Sequence, residues 1–124
     1  MECERGEFME GHINRGNIFM ANLNPVIGSE QGGVRPVLIL QNDTGNRYSP
    51  TTIVAPISTK VCSKSHLPTH FLITPESGVG KDSVVLLEQI KTIDKSRLIR
   101  KIGGLSENEL SIIDRLMKVS LGMR

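Results

Sequence analysis

Apolar residues along the middle of the chain fall into short runs at 18–23, 37–40, 53–57, 70–74 and 84–90, separated by polar stretches. Runs of this length are too short for ordinary helices and predict strands. The connectors at 24–33, 43–50, 58–68 and 75–81 are rich in Gly, Pro, Ser, Asn or Lys. They read as turns and loops, where functional side chains concentrate. Near the C-terminus the period changes. Ser106-Glu107-Asn108-Glu109 has the form of a capping box, and Leu110, Ile113, Leu116 and Met117 then recur on one helical face. Asn108, Ser111, Arg115 and Lys118 take the other side, and Gly122 supplies a stop. A shorter helical turn is predicted from Asp94 within Asp94-Lys95-Ser96-Arg97. Strands first and a helix last predict a mainly β fold, a small barrel closed by a C-terminal amphipathic helix, rather than an alternating α/β fold. Residues 1–14 show no period and are expected to form a flexible extension ahead of a single domain at 15–124.

Composition narrows the function without naming it. The net charge is only +2, so a site for a polyanion must be a local gathering of the 15 basic residues. No run approaches the roughly 20 apolar residues of a membrane helix. The first 15 residues carry four Glu and no apolar stretch, which predicts no secretory signal and a cytoplasmic protein. Cys3 and Cys62 lie in polar surroundings without the spacing of a disulfide framework or zinc site, and read as free thiols.

The segment Gly28-Ser29-Glu30-Gln31-Gly32-Gly33-Val34-Arg35-Pro36 carries the most chemistry. Its glycines permit unusual backbone angles, and Arg35 stands where a strand begins at Pro36. A guanidinium stays protonated at neutral pH and offers a planar fork of donors that matches a phosphate. Read alone, the same residues fit a structural ion pair beside a long turn equally well.

The blocks Arg15-Gly16-Asn17-Ile18 through Asn24-Pro25, then Gly28 through Val37, resemble the N-terminal signature of MazF/PemK-type toxins. The likeness continues through Gln41-Asn42-Asp43, Ser49-Pro50-Thr51, Leu67-Pro68-Thr69-His70, Asp82-Ser83-Val84 and Leu87 through Asp94, and spans residue 15 to the end. That resemblance implies a conical SH3-like (MazF/CcdB-like) barrel and a homodimer acting as the toxin of a type II toxin–antitoxin system. It implies cleavage of single-stranded RNA at a short sequence, without metal or other cofactor, to a 2′,3′-cyclic phosphate, with a MazE-like antitoxin as partner. Carried over by position, the catalytic arginine falls on Arg35. The catalytic threonine falls on Ser58, where serine keeps the hydroxyl and loses the methyl; Thr59 is the alternative if the register is one residue out. Ser29, Glu30, Gln31, Asn42 and Gln89 are candidates for base edges, Lys64 for the RNA backbone and Leu67 for a base face. Lys60 and His66 flank that region. Glu30 is also a candidate base for the 2′-OH, beside its reading as a solvated carboxylate or base contact.

Aromatic residues make up only 3% of the chain and Trp is absent, so base recognition must rest on edge hydrogen bonds more than on stacking. Four other readings compete. His66 and His70 could form a two-imidazole ribonuclease site, and Cys62 with His66 could touch a metal but lacks further spaced ligands. A gyrase poison of the CcdB type would share the fold, but that family presents a Trp-containing C-terminal tip, whereas this chain ends Leu121-Gly122-Met123-Arg124. A noncatalytic RNA- or peptide-binding barrel would keep the loops and lose any dependence on Arg35.

Overall fold

The computed structural model describes residues 12–59 and 67–124, which form one curled antiparallel sheet and a C-terminal helix. The elements are β1 (Asn17–Asn22), β2 (Val34–Ile39), helix α1 (Asp43–Tyr48), β3 (Thr51–Ser58), β4 (His70–Ile73), β5 (Ser83–Leu86), β6 (Lys91–Asp94), β7 (Leu98–Gly104) and helix α2 (Glu107–Leu121). Single 3-10 turns occupy Pro75–Ser77, Leu87–Gln89 and Lys95–Arg97. All five apolar runs lie on strands, but the run at 84–90 leaves the strand after Leu86 and turns. The helical turn expected from Asp94 is present, with the Asp94 carboxylate accepting from Ser96 N.

Three elements were not anticipated, each for a physical reason. In β6 only Ile93 is buried, and in β7 Ile99, Arg100 and Lys101 are exposed, so neither strand shows the alternation of a half-buried one. Charges on the edge strand β7 suit a position where pairing with another chain must be discouraged. Helix α1 lies in what reads as a connector because its buried residue is polar: Asn46 accepts from Gln41 Nε2 and Thr52 Oγ1, donates to the Gln41 carbonyl, and offers its own carbonyl to Lys95 Nζ.

The strand order is β4-β5-β3-β2-β1-β7. Strand β3 is the bend: one edge pairs with β2 at Val54–Pro56, and the other is shared by β6 along Thr51–Val54 and β5 at Ile57–Ser58. Among the described residues no ladder joins β4 to β7, so the barrel expected to be closed is open there. Backbone packing bridges the gap instead. A Cβ on Gly103 would lie 1.8 Å from the Ser77 carbonyl oxygen, and one on Gly78 2.1 Å from that of Ile102. Gly78 also has φ +109°, outside the range L side chains favour. The turn after β4 thus sits directly against β7.

Both faces of the sheet are covered, which is why its inner strands read as continuous apolar runs. Phe19, Ala21, Val37, Ile39 and Val54 gather with Ile13, Leu23, Ile93 and Leu98 on one face. Ile18, Leu38, Leu40, Ala55, Ile57 and Val85 face α2, where Ile113 is fully buried and Leu116 and Met117 pack beside it. The capping box forms as expected, Ser106 Oγ accepting from Glu109 N and Glu109 Oε1 from Ser106 N, and the helix ends at Gly122. Arg15 ties the helix to the sheet, its Nε donating to Leu40 O at 3.0 Å and its Nη2 pairing with Asp114.

Candidate active site

The loop from β1 to β2 is held by its own side chains before any ligand is considered. Leu23 N donates to Gly33 O, Asn24 Oδ1 accepts from Gly33 N at 2.9 Å, and Glu30 Oε1 accepts from Ile27 N at 3.1 Å. This leaves Ser29 and Glu30 exposed at the loop's outer side, while Gln31 turns inward and is half-buried.

Arg35 stands at the start of β2 against that loop. Its Nε donates to Gly32 O at 2.6 Å and its Nη1 to Ile57 O at 3.3 Å. With the Gln31 amide oriented to suit its neighbours, its side-chain oxygen accepts from Arg35 Nη1 at 3.1 Å and Nη2 at 3.2 Å. Of the five guanidinium N–H groups, these bonds leave one on Nη2 uncommitted among the described residues. All the acceptors are neutral oxygens, and no described carboxylate pairs with Arg35. Burial pulls its pKa below the ordinary arginine value, but a group starting that high remains charged at neutral pH. The result is a fixed, half-desolvated cation with no counter-ion in the described structure.

Ser58 follows Ile57, whose carbonyl accepts from Arg35 Nη1 at 3.3 Å. The β2–β3 ladder runs as far as Val37 opposite Pro56, two residues short of Arg35 and Ser58. Alternation along an extended chain sends the Ser58 and Thr59 side chains to opposite sides. Ser58 is only 1% exposed and lies against Val84 of β5, whereas Thr59 is exposed.

The other candidates divide. Gln89 joins the cluster, its Oε1 accepting from Gln31 N at 2.7 Å. Leu67 is exposed just ahead of β4. Asn42 is not brought there: its side-chain oxygen caps α1 by accepting from Gly45 N at 2.7 Å. It lies beyond Ile39, the end of β2 opposite Arg35. Lys60, Cys62, Lys64 and His66 lie outside the described residues.

Sequence reasoning passed over Glu88. Its carboxylate accepts from Thr69 Oγ1 at 3.0 Å and from His70 Nε2 at 3.0 Å; a carboxylate only accepts, so Nε2 carries the proton. Burial pushes the Glu88 carboxyl up, but the hydrogen bonds from His70, its backbone and Thr69 together hold it below its usual value. The His70 side chain is 4% exposed, and its Nδ1 is buried without a hydrogen-bond partner among the described residues. The paired spacing of Thr69-His70 and Glu88 carries no local motif, because the two segments meet only through the β4–β5 ladder. Among the described residues no three His, Cys, Asp or Glu side chains gather as a metal site, and no helix is long and apolar enough to cross a membrane.

Known proteins share this fold. The toxin MazF-mt6 of Mycobacterium tuberculosis superposes with a TM-score of 0.75 at 26% identity, covering 87% of this chain and 98% of that one. MazF from Deinococcus radiodurans superposes with a TM-score of 0.80 at 23% identity, covering 92% of this chain and all of that one. An endoribonuclease from a mycobacterial species, solved with its cognate antitoxin, gives 0.72 at 20% identity over 92% of this chain and 97% of that one. The family model of PemK-like, MazF-like toxins matches residues 14–121, nearly the whole described chain, and the chain therefore belongs to this family of type II toxin–antitoxin toxins.

Proposed function

We propose that this toxin is a sequence-specific endoribonuclease that cuts single-stranded RNA without a metal, with Arg35 and Ser58 as its catalytic groups. The observation that carries the reading is the Arg35 guanidinium, fixed by neutral oxygens and left without a carboxylate partner among the described residues. A preorganised cation of this kind is suited to a phosphate whose charge grows during reaction. The solved mycobacterial relative named as an endoribonuclease supports the same chemistry.

In this mechanism the RNA 2′-oxygen attacks its neighbouring phosphorus in line and loses its proton to a base. The bond from phosphorus to the 5′-oxygen breaks, and that oxygen takes up a proton, leaving a 2′,3′-cyclic phosphate and a 5′-hydroxyl. Arg35 Nη2 faces the phosphorane oxygens and supplies the charge stabilisation that a metal ion supplies elsewhere. Ser58 adds a hydroxyl to a phosphate oxygen after the groups covering it move aside. Ser29 and Glu30 meet base edges from the loop rim, Leu67 lies against a base face, and Lys64 follows the backbone.

Purified protein should cut a long single-stranded RNA in excess EDTA, and an acidic antitoxin segment should suppress the cutting by occupying the same cation. Mutual exclusion follows from linkage, since both ligands need Arg35. The exposed Val119, Leu121 and Met123 at the end of α2 support a homodimer, which burial of such a surface favours. Dependence of cleavage on added divalent metal, or a strictly monomeric mass in solution, would count against these parts of the reading. We further assign residues 15–124 to a single catalytic domain in the cytoplasm, to whose core Ile13 of the preceding segment contributes.

The choice of hydroxyl has its own test. Ser58→Ala is expected to lower the cleavage rate about tenfold or more, the scale of a hydrogen bond to a charged group. Ser58→Thr should retain much of the rate. Thr59→Ala should change little, because its side chain leaves the opposite face; if Thr59→Ala alone were damaging, the catalytic register would shift by one.

A further inference from the structure

The 3-10 turn Leu87–Gln89 is tied to its surroundings at every residue. Leu87 N donates to Thr69 O at 3.1 Å, and Leu87 O accepts from Ser120 Oγ of α2 at 2.8 Å. The Glu88 carboxylate is held by Thr69 Oγ1 and His70 Nε2. Gln89 is therefore presented by a turn anchored to both β4 and the C-terminal helix. Its Oε1 accepts from the backbone N–H of Gln31, whose side-chain oxygen accepts from two nitrogens of Arg35. The series runs without a gap from the anchored turn to the guanidinium.

We propose that Gln89 is a positioning residue for Arg35, with the Glu88 clamp holding Gln89 and Gln31 transmitting its placement. The inference rests on the reading of Arg35 as the phosphate-stabilising group, and it departs from the expectation that Gln31 and Gln89 serve chiefly as base readers. Both amides already spend their oxygens on the protein: the Gln89 oxygen on Gln31 N, the Gln31 oxygen on Arg35. A guanidinium on a long, flexible stem gains catalytic value only when its direction is fixed, since small misplacements of a charge-stabilising donor cost rate. Gln31 fixes two nitrogens of the fork, and its own backbone is fixed from outside the loop by Gln89.

The test separates positioning from base reading. Gln89→Met keeps the length of the side chain and removes the acceptor, while Gln89→Glu keeps an acceptor for Gln31 N. On one RNA containing a mapped cleavage site, Gln89→Met should lower kcat roughly three- to tenfold, the scale of one hydrogen bond, with KM within about twofold of the starting protein, the signature of an interaction felt in the transition state. Gln89→Glu should restore kcat. Without RNA, the Nε–H proton of Arg35, identified in the NMR spectrum by its loss in Arg35→Ala, should exchange with solvent several-fold faster in Gln89→Met and at the original rate in Gln89→Glu. Raised KM or an altered cleaved sequence with kcat intact would make Gln89 a base reader and overturn the proposal, as would unchanged Nε–H exchange in Gln89→Met. If the starting protein cut no RNA, the proposed activity would fall while the exchange measurement still decided the positioning.

Discussion

Arg35→Ala is expected to abolish most cleavage, lowering the single-turnover rate by about 10²–10³-fold, the usual cost of removing one preorganised charge-stabilising donor. The loss should be in rate more than in fold. The guanidinium bonds only to Gly32 O, Ile57 O and the Gln31 amide, at a half-buried position where water can take over those acceptors. The melting temperature should therefore fall by only a few degrees. Arg35→Lys should lose most of the rate as well, because an ammonium keeps the charge but cannot hold Gly32, Ile57 and Gln31 together while still facing a phosphate. Circular dichroism with single-turnover kinetics checks both statements. Near-full activity in a folded Arg35→Ala protein would remove Arg35 from the mechanism and place the catalytic groups elsewhere on the chain.

Gly103→Ala should destabilise the protein far more than one methyl group ordinarily does. The added Cβ would lie 1.8 Å from the Ser77 carbonyl oxygen and 2.9 Å from the Gly78 Cα, so backbone, not a flexible side chain, must move. Overpacking typically costs 1–3 kcal/mol, and a displaced backbone belongs at the upper end, about 3 kcal/mol. For a domain of this size that is a fall on the order of 10 °C in melting temperature. Gly104→Ala is the control: its Cβ would meet the Gly16 carbonyl oxygen at 3.2 Å, a strain that small adjustments relieve. The melts should be compared at one protein concentration, because a homodimer of the kind proposed would make the midpoint concentration-dependent. A Gly103→Ala protein melting within about 2 °C of the original would show that the turn after β4 can leave β7 at little cost, and that the gap in the sheet is not closed there.

Much of this was legible before the coordinates, and the failures share a cause. Strands β1, β2, β3 and β5 announce themselves through residues buried on both faces, β4 through its short apolar run although Leu72 is exposed, and α2 because its capping box and apolar stripe are local patterns. Strands β6 and β7 do not, since their places are set by partners far along the chain: β6 by Thr51–Val54, β7 by β1. Helix α1 is hidden because its buried anchor, Asn46, is polar. At the site, Arg35 could be singled out from a glycine-rich loop leading into a strand. That its acceptors are neutral oxygens could not, because Ile57 reaches it only through tertiary pairing and Gln31 is held beside it through Gln89. Asn42 shows the converse: a polar residue near the right block in sequence whose side-chain oxygen the fold uses as a helix cap.

Strand β1 lies between β2 and β7, and its pairing of Asn17 with Gly104 spans most of the chain. Synthesis runs at roughly 5–20 residues per second, so β1 waits on the order of ten seconds for that neighbour. A chain still ending before Leu98 has Arg35 and Ser58 already made, but it has neither the strand that covers the outer edge of β1 nor the helix that covers Ile18, Leu38 and Ile57. Contacts of such long sequence separation also form slowly once available. The order in which the chain emerges therefore delays completion of the toxin's fold until its last quarter has been translated, giving a partner made at the same time an interval in which to be ready.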